Sequence, residues 1–153
     1  MTASPFHRIL VGWDASPAAR TALATALALA GDSGSVIVRA VLVPSEHTET
    51  SGEQNRDLSA QRTWAQERFD QAWQAMPAFT GHVRVDWGEN TDVASDLTAS
   101  AAEHGCDLVV LGRHGEDSRL RARPLGAVVR QVTEQADIPV LVVPAATAGR
   151  SSG

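Results

Sequence analysis

The sequence predicts an α/β domain built on a parallel β-sheet, and three observations lead to this class of fold. Five short apolar runs alternate along the chain with four longer segments of helical character. Most of these runs are almost continuously apolar, which is typical of strands that are buried on both faces. A length of 153 residues suits one domain. We therefore expect a single-domain fold with a five-stranded parallel sheet, helices on both faces and right-handed crossovers.

The beginning of the chain predicts a strand followed by a helix. Residues 8–12 form an apolar run of the buried-strand type, and residues 13–15 follow it as a turn. Ser16 and Pro17 suit the N-cap and the first position of a helix. This helix is predicted to end at Gly31, because glycine readily adopts the left-handed conformation that closes many helices.

The next part of the chain predicts a strand, a loop and a longer helix. Residues 36–43 are rich in β-branched side chains and form the second strand. Residues 45–55 are polar without periodicity and are expected to be a loop. The second helix is predicted to end at Pro77. Its apolar face consists of Ala65, Phe69, Ala72 and Met76.

The second half of the chain predicts three strands and two helices. Residues 83–87 alternate between apolar and charged side chains, as in a strand with one wetter face, and Gly88 is expected to end this strand. Thr91 or Asp92 caps the third helix. The remaining elements are a helix that ends near residue 104, a strand over 108–111, a helix over 126–135 and a strand over 138–143.

No apolar run approaches the roughly 18 residues that would suggest a membrane span, and the N-terminus shows no segment of the signal-peptide type. The single cysteine, Cys106, allows no internal disulfide. We therefore predict a cytoplasmic protein without membrane association. Residues 1–145 are expected to form the domain, and the small and polar residues 146–153 a flexible tail.

The charge of the chain limits its possible partners. The formal net charge is −5, and all 13 residues counted as lysine or arginine are arginine. Because nucleic acids are bound by an excess of basic surface, we expect no nucleic-acid partner. Without lysine the chain has no Walker-type phosphate loop, so phosphate contacts must come from backbone N–H groups or arginine.

Two glycine-containing loops are expected at the same edge of the predicted sheet. Residues 12–14 follow the first strand, and residues 112–115 follow the fourth. In open parallel sheets, ligands bind beyond the carboxyl ends of the strands, where the strand order reverses. Gly112, Gly115 and the helix that begins near Gly126 predict a phosphate-binding turn, since glycine allows close approach and helix N-termini attract anions.

Four segments of the sequence together resemble the universal stress protein family, and the resemblance covers nearly the whole chain. These segments are residues 9–16, 107–115, 125–126 and 138–143. The resemblance implies strand order 3-2-1-4-5 in an adenine-nucleotide α-hydrolase-like fold and a homodimer that regulates the stress response. In one branch of the family it also implies bound ATP or AMP, with Mg²⁺ as an optional companion.

The nucleotide-binding branch carries the motif Gly-x2-Gly-x9-Gly-Ser/Thr, whose backbone N–H groups and hydroxyl hold the ribose and phosphates. Gly112 and Gly115 match the beginning of this motif. Ten residues, instead of nine, separate Gly115 from Gly126, and Ala127 stands where the motif has the serine or threonine hydroxyl. Loss of this hydroxyl removes a hydrogen bond to a charged acceptor, worth about 1.5–3 kcal/mol. The glycine turns and the helix N-terminus can still hold an anion through backbone donors.

The resemblance also implies a base-binding half of the site. Asp14 matches the acid that contacts adenine, and Val41 matches the residue whose backbone reads the edge of the base. Trp13 either stacks on the base or packs in the core. Since Ser16 can cap the first helix, Asp14 is expected to serve the ligand rather than the cap. The full predicted nucleotide site comprises Trp13, Asp14, Val41, Gly112, Arg113, His114, Gly115, Gly126, Ala127 and Val128.

Residues with catalytic potential form no recognisable constellation in the sequence. His114 lies between two glycines and either contacts a phosphate, acts as a base or is an ordinary loop histidine. Because no second acid, metal cluster or nucleophile accompanies it at a recognisable spacing, an ordinary loop histidine is expected. Cys106 precedes an apolar strand and is expected to be a small buried residue. The histidines lack ligand spacing for zinc. We predict no catalytic residues, no protein metal site and at most slow ATP hydrolysis.

Alternatives remain open for the arginine-rich loop and for the function. The loop arginines either bind phosphate oxygens or belong to a solvated loop. A second function, favoured by Ala127 and the extra loop residue, is a protein-interaction module without nucleotide. The loop arginines are Arg113, Arg119, Arg121 and Arg123.

The last strand, Val140–Val143, is uncharged and lies at the edge of the predicted sheet. We therefore predict a homodimer in which the final strands of two chains meet. We also predict a regulatory protein partner of unknown identity.

Overall fold

The structure is a computed structural model that describes residues 5–45, 50–113 and 125–145. Strands and helices alternate along these residues as the sequence predicts. Among them, no helix is long and apolar enough to cross a membrane. The strands are β1 (Arg8–Trp13), β2 (Ser35–Leu42), β3 (His82–Glu89), β4 (Leu108–Gly112) and β5 (Val140–Val143), and the helices are α1 (Pro17–Ala30), α2 (Ser51–Gln74), α3 (Val93–Glu103) and α4 (Leu125–Gln135).

The described strands form one parallel sheet in the order β3-β2-β1-β4-β5, which confirms the predicted fold class and strand order. β1 lies at the centre, where Val11 pairs with Val38 of β2 on one side and with Val110 of β4 on the other. The strand order reverses between β1 and β4. The carboxyl ends of these two strands therefore flank the crevice in which ligands of such sheets bind.

Helices cover both faces of the sheet. Successive side chains of a strand point to opposite faces, so the apolar strands contribute to a core on each side. Ile9, Val11 and Trp13 belong to the core formed with α1 and α2, which we call the α1/α2 face. Leu10 belongs to the core formed with α3 and α4, the α3/α4 face. The buried positions of α1 are mainly alanine, so the helix can approach the sheet closely.

The helix starts follow the sequence signals. Ser16 caps α1, because its Oγ accepts the N–H of Ala19 at 3.1 Å. Of the two predicted caps for α3, the structure has Asp92, whose Oδ1 accepts the N–H of Ser95 at 3.1 Å. Hydrogen bonds from the hydroxyl and the backbone N–H of Ser95 lower the pKa of Asp92.

The start of α2 corrects the predicted loop over residues 45–55. The helix begins at Ser51, since Oγ1 of Thr50 accepts the N–H of Glu53 at 3.1 Å. A Thr-x-x-Glu sequence is that of a capping box, so a local signal for this start was present in the sequence. Residues 46–49 lie outside the described residues.

Strand and helix ends differ from prediction in several places. β1 includes Trp13, predicted as part of the turn, because this residue still pairs with β2. β3 continues through Gly88 to Glu89, because both residues pair with β2. β5 begins at Val140 instead of residue 138, and α2 ends at Gln74, before Pro77. The predicted tail, residues 146–153, lies outside the described residues, so the domain boundary stays a prediction.

Candidate functional site

The turn after β1 brings a carboxylate to the carboxyl edge of the sheet. Asp14 is half-buried, and its Oδ1 accepts the N–H of Ser16 at 2.9 Å. Between them, Ala15 is buried and has a φ of 64°, in the left-handed region that residues other than glycine rarely adopt. Such strain costs on the order of 1–3 kcal/mol and is found mainly at functional sites. Since Ser16 is the cap of α1, Asp14 shapes this turn without being the helix cap.

Trp13 lies in the core rather than at the edge. Its side chain is 4% exposed, its Nε1 donates to the carbonyl oxygen of Ala65 at 3.2 Å, and its ring meets Phe69 edge to face at 5.6 Å. These contacts are on the α1/α2 face, whereas Val41 packs on the α3/α4 face. Of the two roles predicted for Trp13, packing is the one that these contacts show.

The end of β2 is held by a side chain that sequence reasoning missed. Gln61 of α2 donates from Nε2 to the carbonyl oxygen of Val43 at 3.0 Å, and its Oε1 accepts the N–H of Val43 at 3.2 Å. Val41, two residues earlier, is half-buried and pairs with Gly88 of β3. Gln61 thus fixes the main chain beside Val41. A glutamine on a surface helix gives no sequence signal for such a contact.

Gly112 ends β4 where α1 leaves no room for a side chain. A Cβ on Gly112 would lie 2.6 Å from Cβ of Ala18 and 2.7 Å from its carbonyl carbon, distances that real Cβ atoms essentially never show. The packing of α1 therefore requires glycine here, whatever ligand binds nearby. Beyond it, the N–H of Arg113 donates to the carbonyl oxygen of Val143 at 2.7 Å. The following residues of the predicted loop lie outside the described residues: His114, Gly115, Arg119, Arg121 and Arg123.

The start of α4 offers main-chain donors to a ligand. The first N–H groups of an α-helix have no intrahelical acceptor, and in α4 the first turn contains Gly126, Ala127 and Val128. Gly126 is half-buried and Ala127 is exposed. Val128 buries its side chain in the core of the α3/α4 face, so only its main chain is available to a ligand.

Several described residues of the predicted site, but not the side chain of Trp13, lie near one edge of the sheet. Because Val11 pairs with Val110, Asp14 and Gly112 follow at the ends of neighbouring strands. Val41 and Val128 pack against the same core on the α3/α4 face. This edge therefore combines a carboxylate, the main chain of a strand end and the donors of a helix N-terminus.

The cysteine has the environment of a packing residue, as predicted. Cys106 is buried, and desolvation together with the neighbouring charge of Asp107 raises the pKa of its thiol to about 11. The thiol is therefore neutral near pH 7 and a weak nucleophile. In the part of the chain that the structure describes, no three His, Cys, Asp or Glu side chains form a group that could hold a metal ion.

A network of charged side chains, which we call the Arg39 network, lies between β2, β3 and α3. Arg39 binds Asp96 through two hydrogen bonds, from Nε to Oδ1 at 2.8 Å and from Nη2 to Oδ2 at 3.1 Å. Its Nη1 donates to Oδ2 of Asp86 at 2.6 Å, and Nε2 of His104 lies 3.2 Å from the same oxygen. Gly88 leaves the space that this guanidinium fills, since a Cβ there would overlap Arg39.

The Arg39 network is a partly buried electrostatic unit, and Asp96 is its most buried member. The side chains of Arg39 and Asp96 are 17% and 9% exposed. Burial by itself raises the pKa of Asp86, but hydrogen bonds from His104 and Arg39 outweigh it and hold this pKa below its ordinary value. Because Arg39 and Asp96 are 57 positions apart in the chain, no local sequence pattern indicated their contact.

Comparisons with known proteins identify a family and a fold. A model of the universal stress protein family matches residues 5–144. A search of curated proteins found no match. The structure of the protein MJ0577 superposes with a TM-score of 0.76 at 21% identity, over 96% of this chain and 100% of that chain. A universal stress family protein from Burkholderia pseudomallei superposes with a TM-score of 0.68 at 27% identity, over 94% of this chain and 100% of that chain.

Two further structures with this fold contain an adenine nucleotide. A universal stress family protein from Arabidopsis thaliana has AMP bound; it is 16% identical, with a TM-score of 0.58 over 92% of this chain and 93% of that chain. A universal stress protein in complex with cAMP is 21% identical, with a TM-score of 0.59 over 92% of this chain and 98% of that chain. At these identities the likeness shows the shared fold.

Proposed function

The chain belongs to the universal stress protein family, and on that premise we propose that it binds ATP or AMP at the carboxyl ends of β1, β2 and β4. The observation that carries this proposal is the turn after β1, in which Asp14 is held beside the left-handed backbone of Ala15. The adenine nucleotides in two similar structures support it. We propose that the protein is a cytoplasmic, dimeric regulator of the stress response. The bound nucleotide shifts the loops at the site toward an ordered conformation and thereby changes the binding of a protein partner.

The base end of a nucleotide suits the described residues better than its phosphate end does. Asp14 supplies an acceptor for an adenine amino group or a ribose hydroxyl, and the main chain at Val41 supplies a partner for the base edge. Phosphates would be held by the N–H groups of the first turn of α4 and by Arg113. Ala127 contributes no hydroxyl. A Mg²⁺ ion that accompanies ATP takes much of its coordination from phosphates and water.

Nucleotide binding is tested by mass spectrometry of the denatured protein for co-purified ATP or AMP, followed by calorimetric titration. Asp14→Asn is expected to weaken binding at least about tenfold, because loss of a hydrogen bond to a charged group costs about 1.5–3 kcal/mol. Asparagine still accepts from the N–H of Ser16, so the turn is preserved. The exposed Asp137→Asn is the matched control and should leave the affinity unchanged.

A second arm of this experiment restores the missing hydroxyl. Ala127→Ser at its exposed position is expected to strengthen ATP binding about tenfold, since the new hydroxyl can donate to a phosphate. A wild-type protein that purifies empty and ignores added ATP and AMP at millimolar concentration would contradict the proposal. It would favour the alternative function, a protein-interaction module of the same fold.

We also propose that β5 forms the interface of a homodimer. β5 is an edge strand, its residues carry no charge, and Leu141 is 36% exposed. Exposed apolar edge strands of this kind readily pair with another chain. We expect light scattering to give twice the chain mass of 16.2 kDa for the wild type. Leu141→Arg should shift this mass toward the monomer, and Ala102→Arg on the exposed surface of α3 should not. A monomeric wild type at micromolar concentration would exclude the interface.

A further inference from the structure

A cavity of about 310 Å³ lies at the amino ends of β1, β2 and β3, opposite to the edge of the proposed nucleotide site. Arg8, Ser35 and Arg84 line it from these three strands, and His104 lines it from the end of α3. Side chains two residues apart on a strand share one face, so Arg8 lies on the same face as Leu10. The cavity is therefore on the α3/α4 face. Its volume is near the lower end for small-molecule sites.

The ionisable side chains that line this cavity are all basic. They are Arg8, His82, Arg84 and His104. The chain as a whole carries a formal net charge of −5, so this basic surface is opposite in sign to the net charge of the protein. The two guanidinium groups carry the positive charge of this concave site, and such cationic groups attract anions.

The two guanidinium groups of the cavity have no carboxylate partner among the described residues, unlike Arg39 and Arg130. Asp107, which follows α3, instead accepts main-chain N–H groups of His7 and Arg8. The cationic charge of Arg8 and Arg84 is therefore not cancelled by an acid within ion-pair distance in this part of the chain.

The end of α3 holds both arginines in place. Nη1 of Arg8 donates to the carbonyl oxygen of His104 at 3.2 Å, and Nη2 of Arg84 lies 3.3 Å from Nδ1 of the same histidine. His104 is itself bound to Asp86 of the Arg39 network. Each guanidinium has five N–H donors, so donors remain for a ligand after these contacts. The fork of an arginine matches the oxygens of a phosphate group.

We propose that this cavity binds the phosphate group of a small molecule, with Arg8 and Arg84 as its principal contacts and the hydroxyl of Ser35 as a further donor. This site goes beyond the proposed function. It lies at the opposite ends of the strands and does not depend on whether a nucleotide binds at the carboxyl edge. Arginine pairs with phosphate through charge-assisted hydrogen bonds, which are stronger than neutral ones.

The test is a titration of the ¹⁵N-labelled protein with inorganic phosphate and, separately, with glycerol 3-phosphate, followed by NMR. Saturable shifts are expected for the amides of Ser35, Arg84 and His104. Arg84→Gln should weaken the binding of both probes at least about tenfold. Arg130→Gln is the matched control, since it removes the same charge from the exposed surface of α4. This variant should change the affinity for either probe less than twofold. If glycerol 3-phosphate binds more tightly than inorganic phosphate, the site is assigned to organic phosphates. If the two probes bind with equal affinity, the site is assigned to the phosphate ion.

Two results would overturn this proposal. One is a wild-type protein whose amides at the cavity do not shift at millimolar phosphate. The other is an Arg84→Gln variant, folded by circular dichroism, that binds the probes as tightly as Arg130→Gln does. Asp14→Asn should bind phosphate at the cavity like the wild type, so failure of the nucleotide site and failure of this site are distinguishable.

Discussion

Replacing Arg39 with methionine is expected to lower the free energy of unfolding by about 3 kcal/mol. Methionine preserves much of the side-chain length, but it leaves the charge of Asp96, which is 9% exposed, without its arginine partner. Removing one member of a buried ion pair costs about 3–5 kcal/mol, and the partial exposure of Asp86 places this case at the lower end. Denaturant titration measures the change as a lower midpoint at an unchanged m-value.

Arg130→Met is the matched control for this prediction. Arg130 and Glu134 form an exposed pair, with 3.6 Å from Nε to Oε1. Exposed pairs contribute little, so the expected change is below about 0.5 kcal/mol. Equal losses in the two variants would show that the Arg39 network does not stabilise the packing of β2 and β3 against α3.

The pH dependence of stability offers a second measurement on the same network. The pKa of Asp86 in the folded protein is lowered from its ordinary value of 3.8. Its contribution to stability is therefore fully present above that ordinary value and is lost as the pH falls through the folded pKa. We expect the wild type to lose stability on acidification below about pH 4. In Arg39→Met this loss should be smaller, because Asp86 keeps only its contact with His104.

Gly112→Ala is expected to destabilise the protein by about 3 kcal/mol, although the substitution adds a single methyl group. The new Cβ would meet the carbonyl carbon of Ala18 at 2.7 Å and the backbone nitrogen of Ala19 at 2.9 Å. These are backbone atoms, so α1 itself must move away from β4. Overpacking of a core commonly costs about 1–3 kcal/mol, and a clash with main chain belongs at the upper end. Thermal or denaturant unfolding measures the loss.

Gly52→Ala is the control for Gly112→Ala. Gly52 lies in the first turn of α2, and a Cβ there would meet only Oγ1 of Thr50 at 3.9 Å. Alanine is the better helix former, so this variant should be neutral or more stable by up to about 1 kcal/mol. A Gly112→Ala protein as stable as the wild type would mean that α1 yields at this point. Glycine at residue 112 would then have to be explained by a ligand instead of by packing.

Local sequence patterns predicted the order and type of the elements well. The Ser16 cap follows from side-chain hydrogen bonding to the first turn of a helix, and the buried strands follow from their apolar runs. The start of α2 was predicted wrongly, because the capping signal of Thr50 and Glu53 lies in a stretch of polar composition. The position of β5 at an edge was also predicted, from the order that the family resemblance implied.

The candidate site was predicted in part. Asp14 and Gly112 could be placed at one edge because the strands of a parallel sheet end together. The role of Gln61 could not be predicted, because it depends on how α2 crosses the end of β2. The same holds for Trp13, since only the twist and packing of the sheet decide whether an aromatic side chain at a strand end faces a ligand or a helix.

The sequence by itself determined the alternation of strands and helices, the Ser16 cap of α1 and the glycines that follow β1 and β4, because these depend on residues a few positions apart. Only the tertiary structure decided that Gly112 is required by α1, that Trp13 packs against α2 and that Arg39 joins two strands to α3. It also collected four basic side chains in a cavity at the opposite edge. These features arise where strand register and helix packing bring distant residues into contact, and such contacts leave no local pattern in the sequence.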